Sequence, residues 1–221
     1  MQKLTNKTVI RTTSYSQREI ISNIMKLYVP DGFDLDPTYS KGIFYKGLKQ
    51  PKFKFDIVPR KGCVIPVDVE YLPLKNESVN SVMFDPPFLA TTGNVAKSKD
   101  KSNIMIKRFG YYKNMPDLWN MYYGAIKELH RVLNVGGICV IKMQDSVSSG
   151  KQYMSHLETM NCAINAGFYC RDVFILLSKN VILSGKHNNQ QHARKFHSYF
   201  IVFEKKNVNI KYRFIDKEIN S

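Results

Sequence analysis

Phe84-Asp85-Pro86-Pro87-Phe88 ends the mostly apolar run Val79–Phe84. A short apolar run bounded by turn residues has the pattern of a buried strand. Pro86 and Pro87 have no N–H to give to a sheet ladder, so the strand must stop there. Its end displays a carboxylate, a rigid pair of backbone carbonyls and an aromatic ring at one sheet edge. That set suits a flat group bearing an amine. An isolated Asp-Pro-Pro is more often an ordinary turn, so its weight depends on the neighbouring sequence.

Upstream, Ser16-Gln17-Arg18-Glu19 has the form of a capping box, and Ile20, Ile21, Ile24, Met25, Leu27 and Tyr28 recur at helical spacing behind it. Pro30-Asp31-Gly32 ends that helix. A short strand, Phe33–Asp36, then runs into the turn Pro37-Thr38-Tyr39-Ser40-Lys41-Gly42. Phe53–Val58 and Cys63–Val69 come next as strand candidates, with Asp56 and Asp68 at or near their ends. Downstream, Leu89 to Met115 shows no sustained periodicity and carries Lys97, Lys99, Lys101, Lys107 and Arg108 against only Asp100. Unstructured connections of that length are commonly functional or disordered. Leu118, Met121, Tyr122, Ala125, Leu129, Val132 and Leu133 then make a helical stripe, closed by Gly136-Gly137 before the strand Ile138–Met143. A further helix is expected with Tyr153, Leu157, Met160 and Ile164 on one face and Gly167 as its cap. The strands Asp172–Leu177 and Ser198–Phe203 complete the pattern. Between them lies a basic segment that includes Lys186, His187, His192, Arg194, Lys195 and His197.

Strands that alternate with helices and are themselves almost continuously apolar predict a mainly parallel sheet covered on both faces, an α/β fold. Ligands of such sheets bind outside the carboxyl ends of the strands. Asp36, Asp56, Asp68, Asp85 and the pair Gln144-Asp145 all fall at or near such ends. Each alone is an ordinary turn residue. Together they predict a polar rim on one sheet edge, and the site is expected there.

The 221 residues are expected to form a single domain, and their formal net charge of +15, with an isoelectric point near 9.6, points to a polyanionic partner. Lysine and arginine gain affinity by displacing the counterions condensed on phosphates. Cys63, Cys139, Cys162 and Cys170 form no C-x-x-C pair, and the histidines have no ligand spacing, so no metal is expected. No apolar run reaches a membrane span and the N-terminus is polar, so a cytoplasmic protein is expected.

The turn Asp36-Pro37-Thr38-Tyr39-Ser40-Lys41-Gly42 resembles the Asp-Pro-Phe-x-Gly-x-Gly motif of S-adenosylmethionine-dependent DNA amino-methyltransferases, and Asp85-Pro86-Pro87-Phe88 resembles their Asp/Asn/Ser-Pro-Pro-Tyr/Phe catalytic motif. The last strand, with Arg194, Lys195, His197 and Ser198-Tyr199-Phe200, looks like that of the small phage-type enzymes. The resemblance implies a Rossmann-like class I methyltransferase with a mostly parallel seven-stranded sheet. It also implies S-adenosylmethionine as cofactor and a nucleic-acid partner, duplex DNA first among them. It assigns Asp85, Pro86, Pro87 and Phe88 to catalysis. Asp36, Pro37, Thr38, Ser40 and Gly42 fall to the cofactor turn, Asp56 to the ribose and Asp68 to the adenine. Asp56 stands about twenty residues on from the start of that turn, as ribose recognition requires. Thr38 stands where the family has Phe, and Ser40 where it has the first Gly. Only Ile43 to Lys52 separate the turn from the next strand, so the first crossover helix must be short.

Between the two motifs there is no room for a separate target-recognition domain. Residues 89–115 and 184–197 are therefore the candidate target-recognition loops, with Lys97, Lys99, Lys101, Lys107, Arg108, Arg194, Lys195 and His197 as candidate nucleic-acid contacts. Solvated surface loops of the same composition are an equal alternative. Adenine N6 is the first candidate acceptor. Cytosine N4, RNA, and a nucleic-acid-binding relative without catalysis stay open.

Overall fold

The computed structural model describes residues 9–88, 90, 112, 114–148, 150–179 and 192–207. Its strands are β1 (Thr13–Ser14), β2 (Leu35–Asp36), β3 (Phe53–Asp56), β4 (Ile65–Pro66), β5 (Val79–Phe84), β6 (Leu133–Met143), β7 (Ser146–Ser148), β8 (Lys151–Tyr153), β9 (Phe168–Leu177) and β10 (His197–Lys205). The helices are α1 (Gln17–Tyr28), α2 (Met115–Val132) and α3 (Ser155–Asn165). Eight strands form the main sheet in the order β1-β9-β10-β6-β5-β2-β3-β4, and β7 and β8 form a separate hairpin. The pairs β6–β5, β5–β2, β2–β3 and β3–β4 are parallel, whereas β10 is antiparallel to both neighbours. The chain therefore moves outward from β2 to β4, then returns to β5 on the other side of β2. That reversal is the topological switch point where open α/β sheets bind their ligands.

The local chemistry explains the elements. Ser16 accepts a hydrogen bond from the Glu19 N–H, which makes it the N-cap of α1. Asn114 does the same for α2 through Asp117, and a proline in the first turn costs nothing there because its missing N–H has no intrahelical partner. Alternation then sends side chains to two cores. Val82 and Phe84 of β5 join Cys139, Ile141 and Met143 of β6 beneath α2 and α3. Met83, Ile138 and Val140 face the other way, towards α1 and the 3-10 turn Ile43–Tyr45. Each fully buried Val, Ile or Phe side chain contributes on the order of 1.5–3 kcal/mol. Arg131 of α2 holds the approach to β5, donating to the carbonyls of Leu72 and Leu74 and pairing with Glu128.

Several expectations need correction. Among the described residues the main sheet has eight strands, not seven. The extra one is β1, two polar residues parallel to the outer edge of β9, too short to leave a periodic trace. The segment Cys63–Val69 yields only Ile65–Pro66, an exposed edge strand in which Pro66 cannot extend the ladder. The strand expected from Ile138 begins at Leu133, directly after α2; Gly136, at φ +79°, lies where the β5–β6 register shifts. In α3 the buried face is Ser155, Thr159 and Ala163, and Leu157 is exposed. Tyr153, expected on that helix, belongs to β8. The short first crossover is observed as a single 3-10 turn.

Candidate active site

Asp36 and Asp56 are the last residues of β2 and β3, Asp85 follows β5 directly, and Gln144 follows β6. Asp68 lies two residues beyond β4. Since β2 to β6 run parallel, all five lie on one edge, which is the predicted rim.

The turn after β2 is built on Asp36, which is 2% exposed. Its Oδ1 accepts from the Thr38 N–H at 2.8 Å and from the Thr38 hydroxyl at 3.2 Å, and its Oδ2 accepts from the Tyr45 hydroxyl at 2.8 Å. Burial raises the Asp36 carboxyl to about 7, although these bonds favour the anion. Burial and the neighbouring Asp36 also hold the Tyr45 phenol well above its ordinary range. Pro37 is buried beside it. Ser40 occupies the left-handed region at φ +49°, the conformation that a glycine would supply at this point of the motif. Its N–H donates to Asp56 Oδ2 at 2.8 Å, while Asp56 Oδ1 accepts from the Val58 N–H. Gly42 has φ +67°, and a Cβ there would come within 2.3 Å of the Tyr39 hydroxyl, so glycine is required on both counts. Asp68 accepts from the Glu70 N–H.

The Asp-Pro-Pro-Phe segment is tied to this turn directly. The Asp85 N–H donates to the Thr38 hydroxyl oxygen at 2.9 Å, so one hydroxyl joins Asp36 to Asp85 across the switch point. The Tyr122 hydroxyl of α2 donates to the Pro87 carbonyl at 2.8 Å. Pro86 is buried, and Pro87 and Phe88 are half-buried. Lys142 of β6 places its ammonium 3.4 Å from Asp85 Oδ1. Burial raises the Asp85 carboxyl and Lys142 opposes that shift.

Gln144 and Asp145 prove to be anchors. The Gln144 side chain donates to the His197 carbonyl, and Asp145 accepts from the backbone and ring of His156 at the start of α3. His197 opens β10, so it sits on the same edge as the end of β6, and its ring meets the Tyr199 hydroxyl at 2.9 Å. Arg194 is exposed and Lys195 half-buried in the segment leading to it. Lys97, Lys99, Lys101, Lys107 and Arg108 lie outside the described residues, as do residues 184–191 and most of 89–115. Among the described residues no cluster of His, Cys, Asp or Glu is arranged to hold a metal, and no helix is long and apolar enough to cross a membrane.

Tyr45, Tyr122 and Lys142 carry roles that the sequence did not assign them, and Thr38, placed by resemblance in the cofactor turn, also holds the Asp85 N–H. Tyr122 was indistinguishable from its apolar neighbours on the helix stripe. Lys142 did leave a signal, since a charge inside an otherwise apolar strand needs a partner.

The doubly wound α/β fold has counterparts among solved structures. TrmN from Thermus thermophilus is similar over 85% of this chain and 48% of its own, at 13% identity and a TM-score of 0.50. An S-adenosylmethionine-dependent methyltransferase from Thermotoga maritima covers 82% of this chain and 86% of its own, at 20% identity and a TM-score of 0.47. A candidate DNA modification methylase, also from Thermus thermophilus and in complex with S-adenosyl-L-methionine, covers 66% and 56% at 16% identity and a TM-score of 0.45. The chain thus spans about half the length of the two Thermus proteins. No protein-family model and no curated protein matches the sequence.

Proposed function

We propose that this chain is an S-adenosylmethionine-dependent methyltransferase acting on the exocyclic amine of a nucleic-acid base, with adenine N6 in duplex DNA as the substrate. The observation that carries it is the hydrogen bond from the Asp85 N–H to the Thr38 hydroxyl. It joins an amine-accepting Asp-Pro-Pro-Phe segment to a cofactor-type turn at the switch point of a methyltransferase fold.

The rim suits the cofactor's chemistry. In a chain of net charge +15, this edge gathers the carboxylates of Asp36, Asp56, Asp68 and Asp85, which suit a ligand carrying a sulfonium and an ammonium. Each Asp56 oxygen accepts one backbone N–H and retains a lone pair for a ribose hydroxyl. Asp68, beyond β4, is assigned to the adenine. Pro37, Thr38, Ser40 and Gly42 shape the turn for the methionine end, with Asp36 as its buried support. When bound, the cofactor supplies an electrophilic methyl group on sulfur.

The chain's own residues prepare the acceptor. An exocyclic amine is a poor nucleophile because its lone pair is delocalised into the ring. The Asp85 carboxylate and the Pro86 carbonyl accept its two N–H bonds, which favours a localised lone pair directed at the methyl group. Tyr122 holds the Pro87 carbonyl, so the proline pair is fixed before substrate arrives and little reorganisation accompanies transfer. Phe88 stacks on the base. A base within a duplex must flip out to reach this pocket, at a cost of a few kcal/mol. Arg194, Lys195 and His197 flank the site on the β6–β10 side. The basic loop with Lys97, Lys99, Lys101, Lys107 and Arg108 leaves the motif itself, and both segments would position phosphates rather than read sequence.

Incubation with labelled S-adenosylmethionine and separate pools of duplex DNA and structured RNA, followed by digestion to nucleosides, tests the proposal. Label is expected in N6-methyladenine from the DNA. Label confined to cytosine would overturn the choice of base, and label confined to RNA the choice of polymer.

A further inference from the structure

Lys142 is the one charged side chain in the buried part of β6, where its neighbours Val140, Ile141 and Met143 are fully buried. Its own side chain is 14% exposed. The ammonium lies 4.8 Å from the centre of the Phe44 ring and 5.8 Å from that of Phe200. Phe44 comes from the 3-10 turn behind the cofactor-type turn, and Phe200 from the antiparallel strand β10. Cross-strand register brings Lys142 to Asp85, because Phe84 stands opposite Ile141 and each chain is one residue further on.

The two oxygens of Asp85 are not equivalent. Oδ1 is buried, accepts no hydrogen bond among the described residues, and faces the Lys142 ammonium at 3.4 Å. The side chain is still 27% exposed, so its open part lies away from Oδ1. A cation lying against two aromatic rings costs less to bury than a bare one, since the ring faces are partly negative. Lys142 therefore has a prepared seat beside the carboxylate.

We propose that Lys142 is a positioning residue of the acceptor site: seated against the rings of Phe44 and Phe200, it holds Asp85 Oδ1 from behind and leaves Oδ2 turned to the incoming amine. This rests on the assignment of Asp85 as the amine's acceptor. The same geometry links the two halves of the site, because Phe44 follows the cofactor turn within two residues of Gly42. Among the described residues, the charged and titratable groups facing Asp85 from the packed elements are Lys142 of β6, Asp36 of β2, Tyr45 of the 3-10 turn and Tyr122 of α2. Lys142 is the cation of this set. Removing it leaves burial to disfavour the anion.

The test compares wild type with Lys142→Met, which keeps the length of the stem, and Lys142→Arg, which keeps the charge. The Asp85 carboxyl carbon is followed by NMR in protein labelled on aspartate, and assigned as the resonance lost in Asp85→Asn. In Lys142→Met its titration midpoint is expected to rise by about one pH unit or more, the usual effect of losing an opposite charge at this range. In Lys142→Arg the midpoint should stay near that of wild type. In parallel, the acidic limb of the kcat profile should move upward in Lys142→Met while KM for S-adenosylmethionine changes little. An unchanged midpoint in a folded Lys142→Met protein would overturn the proposal. Absence of methyl transfer by wild type would overturn the proposed function instead, and the NMR titration would still decide whether Lys142 governs Asp85.

Discussion

Replacing Thr38 by valine isolates the contact on which the site depends. Valine keeps the shape and removes the hydroxyl, which breaks two bonds: the one accepted from the Asp85 N–H at 2.9 Å and the one donated to Asp36 Oδ1 at 3.2 Å. The Asp85 N–H is left without its acceptor, a loss worth about 1–3 kcal/mol, and the second bond adds to it because its acceptor is a carboxylate. A total of about 2 kcal/mol corresponds to a fall in Tm of about 4–8 °C for a chain of this size. The larger effect is expected on catalysis. Asp85 would keep its charge but lose its fixed orientation, and misplacement on the scale of 1 Å costs about 10- to 100-fold in kcat. Thermal unfolding and single-turnover transfer should be measured on wild type, Thr38→Val and Thr38→Ser, with serine restoring most of both losses. Wild-type kcat in a folded Thr38→Val protein would refute the link between the two motifs, whatever its Tm.

Tyr122→Phe removes the donor to the Pro87 carbonyl and should cost about 1 kcal/mol, with a severalfold lower kcat measured beside the unfolding curve. Ser40→Gly relieves a left-handed φ of +49°, worth about 1–2 kcal/mol, against about 0.4–1 kcal/mol of added freedom in the unfolded chain; a net gain of about 0.5–1 kcal/mol is expected by urea unfolding. Asp36 gives a pH dependence of definite sign. Its folded-state value, pushed up to about 7 by burial, exceeds its unfolded value of 3.8, so the folded protein holds the proton more tightly. Its contribution to stability is therefore present in full below about pH 4 and is lost as pH rises through about 7. Asp36→Asn should compare best with wild type at pH 8 and worst at pH 4, as read from urea unfolding at the two pH values.

The fold was legible where local chemistry and periodicity agreed. The capping serine placed α1 before Gln17, and the two prolines ended β5 at Phe84. Five polar strand ends foretold the rim because side-chain position at the end of a parallel strand follows from chain direction alone. What escaped depended on contacts between distant residues. Lys142 meets Asp85 only through the register of β5 and β6, and Tyr122 reaches Pro87 only once α2 is laid across the sheet. Thr38 looked like a departure from the family's aromatic, whereas its hydroxyl fastens one motif to the other. Ser40 occupies a glycine's conformation because its N–H is held by Asp56, a partner sixteen positions away. In α3 the apolar stripe was misleading, since small residues let the helix approach the sheet and Leu157 was left outside.

Asp85→Ala tests the central claim most directly. Wild type and variant should be compared for binding of S-adenosylmethionine by calorimetry and for transfer of its labelled methyl group to duplex DNA, with the product digested to nucleosides. Wild type is expected to label N6-methyladenine, and Asp85→Ala to bind the cofactor with nearly unchanged Kd while transferring nothing detectable. Equal transfer by the two proteins, or no label in any base with wild type, would contradict the assignment of Asp-Pro-Pro-Phe as the acceptor site.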